Sequence, residues 1–394
     1  MITNGLEVRD AAMREYADAL TPTALTAIAA LAPLDADRRR LLAARLERRA
    51  GRARNHEPIR FLDADAVIEG TSIRVQDARD GRFTGSAIPA DLQRQWIQGT
   101  GPASRPNTPT DRSIRNVAYA LLSGADGWMF DGEDALGQLS TMSLDNQRNL
   151  KLAIDRAPIF MQTAEHVAEE MNAWGRDFFG RTIVEDWRAQ LGFTTKIFRA
   201  RGMHLDDRHL RHADGSALSA SIVDAALYVT NNHERLRADG ASIVLYLPKI
   251  QVAAEAAWWG TMLDRLEAHL ALPAGTIKVY VLIEQVEASL QLMEIRAALG
   301  RHFVGFNTGR WDYINSVSDA RAWDAAFVNP DIDVITMTYS YMRAYEDRVR
   351  RAANTPDLEG HCALWQGGME PNIPVGSPEG VTASMTRAVA GATR

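Results

Sequence analysis

Lys278-Val-Tyr-Val-Leu-Ile283, then Ala288–Leu299, then Phe303-Val-Gly-Phe306 read in succession as a strand, a helix and a strand. A short β-rich run, a helical stretch and a second β-rich run make the unit that joins parallel strands. The pattern extends in both directions. Upstream lie Gly127–Phe130, Thr195–Phe198 and Ile243–Leu247, the last followed by the helical stretch Ala253–Leu270. Downstream lie Val334–Met337 and Cys362–Trp365. Seven candidate strands in about 260 residues suit an α/β fold of the (β/α)8 TIM-barrel type with one strand still to be found. A doubly wound open sheet is the alternative; no Gly-x-Gly-x-x-Gly opens a helix after the first strand to support it.

Residues 1 to about 60 are expected to be helical, since Thr21-Pro22 sets a cap residue before a first-turn proline and an Ala/Leu periodicity follows. Beyond Pro58 the pattern shortens, with turns at Asp80-Gly81 and Thr84-Gly85-Ser86. The Gly/Pro-rich stretch 99–109 is the expected boundary between an N-terminal helical or mixed extension, 1–100, and a barrel, 101–378. The remainder, 379–394, reads as one small-residue helix or a frayed tail.

The 394 residues carry a formal net charge of −6, which gives no electrostatic reason to expect nucleic acid or an anionic membrane as partner. Arginines crowd Arg38 to Arg54, but at helical spacing among Ala, Leu and Glu, so a solvated helix face is expected there. One cysteine, Cys362, excludes an intramolecular disulfide and fits a reducing cytoplasm. Its apolar neighbours suggest a buried strand thiol rather than a nucleophile. The N-terminus shows no apolar signal region and no run is long enough to span a bilayer, so a cytoplasmic location is expected.

Acidic and basic residues fall just past several strand ends, where a barrel keeps its active site. Asp131-Gly-Glu133-Asp134 follows Gly-Trp-Met-Phe; Arg199-Ala-Arg201-Gly-Met-His204 follows Thr-Lys-Ile-Phe. Glu284 follows Tyr-Val-Leu-Ile, and Asn307-Thr-Gly-Arg-Trp-Asp312 follows Phe-Val-Gly-Phe. Singly, such a carboxylate is as often a helix cap, and such an arginine a surface ion pair. Together, hard oxygen ligands from two strand ends with an arginine nearby would suit Mg²⁺ and an anionic substrate. No Cys/His cluster at zinc spacing competes.

At these residues the chain resembles the malate synthases, relatives of the citrate lyase β and malyl-CoA lyase aldolases. The likeness rests on Tyr246-Leu-Pro-Lys249, Thr276–Glu284, Gly305-Phe-Asn-Thr-Gly-Arg-Trp-Asp312 and Gly367-Gly-Met-Glu-Pro-Asn-Ile-Pro374, with Glu284 and Asp312 28 residues apart. The resemblance implies a Mg²⁺-dependent enzyme that makes or breaks a carbon–carbon bond at a 2-oxo acid such as glyoxylate or pyruvate, with an acyl-CoA as a candidate second substrate. It implies that Glu284 and Asp312 hold Mg²⁺, that Asp131 and Glu133 hold metal-bound waters, and that Arg199 faces the oxygen that becomes negative. Gly309, Arg310, Trp311 and Asp312 would grip the substrate carboxylate through a backbone nest. For Asp134, Arg201 and Lys249 a structural ion pair is an equal alternative.

The sequence also departs from the family. After Gly367-Gly368-Met369 no Glu-Asp pair occurs, whereas malate synthases continue into a helical C-terminal domain whose aspartate deprotonates acetyl-CoA. Pro248-Lys-Ile-Gln251 and Gln138-Leu-Ser140 replace the family's usual residues, and Glu287 stands where an apolar residue or proline is usual. Three expectations follow: a neighbouring subunit or partner chain, in a homo-oligomer or complex, supplies the base; a more acidic donor is used, with Glu287 as substitute base; or the chain binds metal and ligand without turnover. A non-catalytic scaffold is the alternative from another class, and the retention of Glu284, Asp312 and Arg199 together speaks for catalysis.

Overall fold

The computed structural model describes residues 2–3, 5–95, 97–101, 108–134, 142–331, 334–368 and 377–392. Its strands, in chain order, are β1 (Ile2–Thr3), β2 (Leu6–Val8), β3 (Gln98–Thr100), β4 (Gly127–Asp131), β5 (Thr195–Arg199), β6 (Asp206–His212), β7 (Ala217–Ser219), β8 (Ile243–Leu247), β9 (Ile277–Ile283), β10 (Phe303–Thr308) and β11 (Leu364–Gln366). Seven of them form one sheet in the order β11-β10-β9-β8-β5-β4-β3, every neighbouring pair parallel.

That order decides between the two fold expectations. A doubly wound sheet reverses its strand order at a switch point. Here the order follows the chain without reversal, so every crossover turns the same way and the helices cover one face. The other face must then bury itself against itself. Met129 of β4, Ile197 of β5, Val244 and Tyr246 of β8, Tyr280 and Leu282 of β9, and Val304 of β10 make one interior cluster, with Leu364 of β11 packed against it. Side chains from both flanks of the sheet thus share one core, and the sheet curls as a TIM barrel does. Because the strands are parallel, all their C-terminal ends open at one mouth.

The helix Pro22–Leu31 begins as its sequence predicts, with the Thr21 hydroxyl accepting from the Ala24 amide at 3.2 Å. Four other strand expectations need correction. Val334–Met337 forms no strand: both sides of β10 are taken by β9 and β11, so the place next to β10 where it was expected goes to β11. The missing strand is β3, which overlaps the start of the stretch assigned to a connection. Gly99 carries no strand signal, yet a Cβ there would stand 2.2 Å from the Trp128 ring, so any other residue would have to displace that ring for β3 to lie against β4. Cys362 is exposed rather than buried in a strand, because the strand starts two residues later. Finally, β1 and β2 pair antiparallel with β6 and β7 in a small separate sheet, β2 lying against β6.

The arginine-rich helix Asp35–Asn55 also differs from expectation. Arg38, Arg45 and Arg52 point inward, with side chains 2%, 12% and 20% exposed. A spacing of seven residues returns nearly to the same side of an α-helix, so these three make one buried stripe. No helix among the described residues is long and apolar enough to cross a membrane.

Candidate metal and substrate site

The register of the parallel sheet brings the chemistry together. Asp131 at the end of β4 pairs across to Arg199 at the end of β5, which pairs to Tyr246 of β8. The last residues of β9 and β10, Ile283 and Thr308, are likewise partners, so Glu284 and the Gly309–Asp312 turn leave the sheet side by side. Gly309 is required at this approach, since a Cβ would lie 2.9 Å from the Glu284 Cβ.

Asp131 grips Arg199 with both oxygens, Nε to Oδ1 and Nη2 to Oδ2 at 2.7 Å each. Such a fork fixes the guanidinium plane. Arg199 Nη2 also lies 2.9 Å from Asp134. Burial alone would lower the Arg199 pKa, but Asp131, Asp134 and Glu133 outweigh it and hold the group above its ordinary range. Nη1 has no hydrogen-bond partner among the described residues.

Asp134, Glu284 and Asp312 each place a carboxylate oxygen within 4.8 Å of the others. Between them sits the Lys249 ammonium, 2.8 Å from Asp312, 3.3 Å from Glu284 and 3.5 Å from Asp134. Burial pulls the Lys249 pKa down, and the surrounding carboxylates, Glu284 foremost, more than reverse it. The Lys249 amide also donates to Glu284 Oε1 at 2.7 Å. Glu284 itself is 1% exposed; burial pushes its carboxyl up, against the pull of Lys249, to about 7.

Glu133 is buried close by, and neither of its oxygens has a hydrogen-bond partner among the described residues. Burial, reinforced by Glu284 and Asp134 and opposed by Arg199 and Lys249, pushes it up to about 8. His204, whose Nε2 lies 3.8 Å from Glu133, is lowered to about 4 by burial and by the cations Arg45 and Lys249. Both side chains are therefore neutral at pH 7 in the metal-free chain.

A carboxyl raised in the folded state costs nothing below its unfolded pKa of about 4.5. Above about 8 the folded chain must keep a buried charge that the unfolded chain holds in water, so stability falls as pH rises between the two values. Glu133→Gln removes that cost. In chelator-treated protein it is expected to raise Tm at pH 8.5 by several degrees, corresponding to about 2–5 kcal/mol, and to change it little at pH 5. Thermal melting at the two pH values measures this; a lower Tm at pH 8.5 would show that Glu133 is satisfied as an anion.

Two further candidate residues are held in ion pairs, which for Arg201 was one of the two expected alternatives. Arg201 is locked between Asp207 and Asp224, at 2.6 and 2.8 Å, and its buried triad fixes the loop after β5 to the helix Ala220–Ala238. Glu287 is 5% exposed and ion-paired with Arg52, so it is neither a solvent-facing helix residue nor a free base. Three residues beyond the sequence motifs support the mouth. Arg45 and Glu255 hold the Lys249 loop. The hydroxyl of Tyr345, in the helix Ser340–Asn354, donates to the Ile283 carbonyl and accepts from the Gly309 amide, bracing Glu284 and the Gly309–Asp312 turn together.

Seven parallel strands wound in one direction, with an acid-rich mouth at their C-terminal ends, place the chain among the TIM-barrel proteins. Residues 195–390 match the malate synthase TIM barrel domain. The malate synthase of Myxococcus xanthus is 32% identical over 375 residues, 94% of this chain and 60% of that protein. Malate synthase A of Escherichia coli is 33% identical over 337 residues, 86% of this chain and 55% of that protein. A solved structure of Haloferax volcanii malate synthase in a magnesium/glyoxylate complex matches with a TM-score of 0.36 at 14% identity, over 74% of each chain. The chain belongs to the malate synthase family. It spans 60% and 55% of the lengths of these two curated relatives.

Proposed function

We propose that the barrel mouth holds Mg²⁺ on Glu284 and Asp312, with Asp134 beside them, and binds a 2-oxo acid there for carbon–carbon bond formation of the malate synthase type. The observation that carries this reading is the convergence of three carboxylates on one ammonium, with Arg199 at their flank. A set of hard oxygen donors that already gathers a cation suits Mg²⁺, which takes one or two carboxylates and completes its shell with water and substrate. When bound, Mg²⁺ polarises the carbonyl of the oxo acid.

The protein's own groups supply the rest. Arg199 offers its open Nη1 edge to the carbonyl oxygen as negative charge builds on it. Asp131 has already fixed the guanidinium plane, so little reorganisation is needed during the reaction. The amides of Arg310, Trp311 and Asp312 precede Tyr313, the first intrahelical donor of the helix Arg310–Ala320, and suit the substrate carboxylate. Trp311, 43% exposed under the Arg310 guanidinium, stands at the entrance. Asp131, rather than holding a metal-bound water, serves Arg199 in this reading; Glu133 retains that role, its free oxygens available to a water.

Glyoxylate is the first acceptor to test and acetyl-CoA the first donor, as the family resemblance implies. Removing a proton from a thioester methyl needs a base worth about 10²–10⁴ in rate. Glu287, neutralised by Arg52, is not put forward for that role. A 2-oxo acid donor such as pyruvate enolises more readily and is the second candidate. Purified protein is assayed with glyoxylate and each donor, with and without Mg²⁺, alongside titration calorimetry of glyoxylate. The expected result is Mg²⁺-dependent glyoxylate binding and a condensation product with at least one donor. Binding without any product would favour the non-catalytic reading, and no Mg²⁺-dependent binding would overturn the site itself.

A further inference from the structure

The helix Asp35–Asn55 lies across the barrel mouth, and its inward arginines reach the strand-end loops in turn. Arg38 donates to the Met203 carbonyl, at 2.9 Å, and to Asp206 beyond β5. Arg45 reaches the loop beyond β8, and Arg52 reaches Glu287 beyond β9. Of these contacts, the one made by Arg45 bears directly on the carboxylate cluster.

Lys249 has φ +55°, in the left-handed region. A side chain other than glycine is strained there, so neighbouring contacts must hold it. Besides the bond from the Lys249 amide to Glu284, they come from the Arg45–Glu255 ion pair, with Arg48 3.6 Å from the same carboxylate. Arg45 Nη2 donates to the Lys249 carbonyl at 2.9 Å and to Glu255 Oε2 at 2.7 Å, while Arg45 Nε donates to Glu255 Oε1 at 3.1 Å. Glu255, fully buried, accepts from the Gln251 amide at 2.7 Å with the same Oε2. The pair therefore clamps the turn on both sides, at the carbonyl of residue 249 and the amide of residue 251. The inner side of that turn points the Lys249 amide and ammonium at Glu284.

We infer that Arg45 is a positioning residue: through the strained Lys249 turn it sets the orientation of Glu284 and hence the affinity of the carboxylate cluster for a divalent cation. The inference rests on the reading of Glu284 and Asp312 as Mg²⁺ ligands. A fork that donates to a carboxylate and a carbonyl at once is not reproduced by lysine, which has a single charged nitrogen. Arg49, one turn further along the same helix and paired with Asp319 at the surface, is the control.

The experiment compares the full chain with Arg45→Ala, Arg45→Lys and Arg49→Ala by Mg²⁺ titration calorimetry. Amide hydrogen–deuterium exchange of the segment Tyr246–Gln251 is measured on the metal-free proteins. Arg45→Ala is expected to weaken Mg²⁺ by about 10–100-fold, the usual effect of removing a group that orients a metal ligand. It should also speed exchange at Lys249. Arg45→Lys should recover part of both effects and stands in if Arg45→Ala fails to fold; Arg49→Ala should alter neither. Unchanged exchange at Lys249 in a folded Arg45 variant overturns the inference, whether or not metal binds. So does an unchanged Mg²⁺ affinity where the wild type binds. Failure of the wild type to bind Mg²⁺ is a separate result: it removes the metal reading, while the exchange data still decide whether Arg45 holds the turn.

Discussion

Glu284→Gln and Asp312→Asn are each expected to weaken Mg²⁺ binding by at least about a hundredfold while leaving a folded barrel. Loss of groups that merely orient metal ligands already costs about 10–100-fold, and these substitutions remove charged ligands themselves. The fold should survive because neither charge is the partner of a buried cation that has no alternative. Lys249 keeps two of its three carboxylates in either variant. Glu284, moreover, is held near 7 by burial, so its neutral amide analogue resembles a form it already adopts. That value also gives a pH dependence. Below about pH 7 a proton must leave Glu284 before the metal binds, so apparent affinity should fall roughly tenfold per pH unit there and level off above about pH 8. Calorimetry of wild type and both variants from pH 6 to 8.5 measures all of this. Wild-type affinity in both variants would remove these residues from the site, and a flat pH profile would mean that Glu284 is already ionised.

The parts of this arrangement that were legible in the sequence are those written locally. A strand end followed at once by a charged residue, as at Ile283-Glu284 or Phe198-Arg199, places that residue at the mouth as soon as the sheet is parallel. Asp134 and Lys249 sit in such motifs too, but their roles depended on which neighbours arrived from other strands. The clamp on the Lys249 turn was not legible. Arg45 and Glu255 are 210 residues apart, and nothing near either one announces the other. The seven-residue spacing of Arg38, Arg45 and Arg52 was visible, yet spacing gives a stripe without saying which way it faces. Arginine composition favoured water; buried acids from distant loops reversed it. Glu287 shows the same limit. An acid in a usually apolar slot stood out, and its partner Arg52 lay in a helix more than two hundred residues earlier. The strand β3 was hidden because glycine is a poor strand former by itself, and the reason for it lies in the next strand, at Trp128.

Arg199→Lys is expected to keep the fold and to lower kcat by at least about a hundredfold, the scale of losing one preorganised donor at a developing oxyanion. Lysine preserves a positive charge next to Asp131, which also accepts the Glu133 amide at 2.9 Å and so is not left buried without partners. What lysine cannot preserve is the division of labour within the guanidinium. In Arg199 the Nε and Nη2 edge is committed to Asp131, with Nη2 close to Asp134, and Nη1 remains directed elsewhere. A single ammonium drawn to Asp131 leaves nothing aimed at the substrate oxygen. Because that oxygen carries its full charge only in the transition state, glyoxylate binding should suffer much less than turnover. The test is therefore a pair of measurements on the same preparation: glyoxylate affinity in Mg²⁺ by calorimetry, and kcat with whichever donor the panel identifies, with thermal melting as the check on folding. Loss of binding and turnover by the same factor would make Arg199 a ground-state anchor. Unchanged turnover, or a variant that does not fold, would make the Asp131–Arg199 pair a brace for the ends of β4 and β5 rather than part of the chemistry.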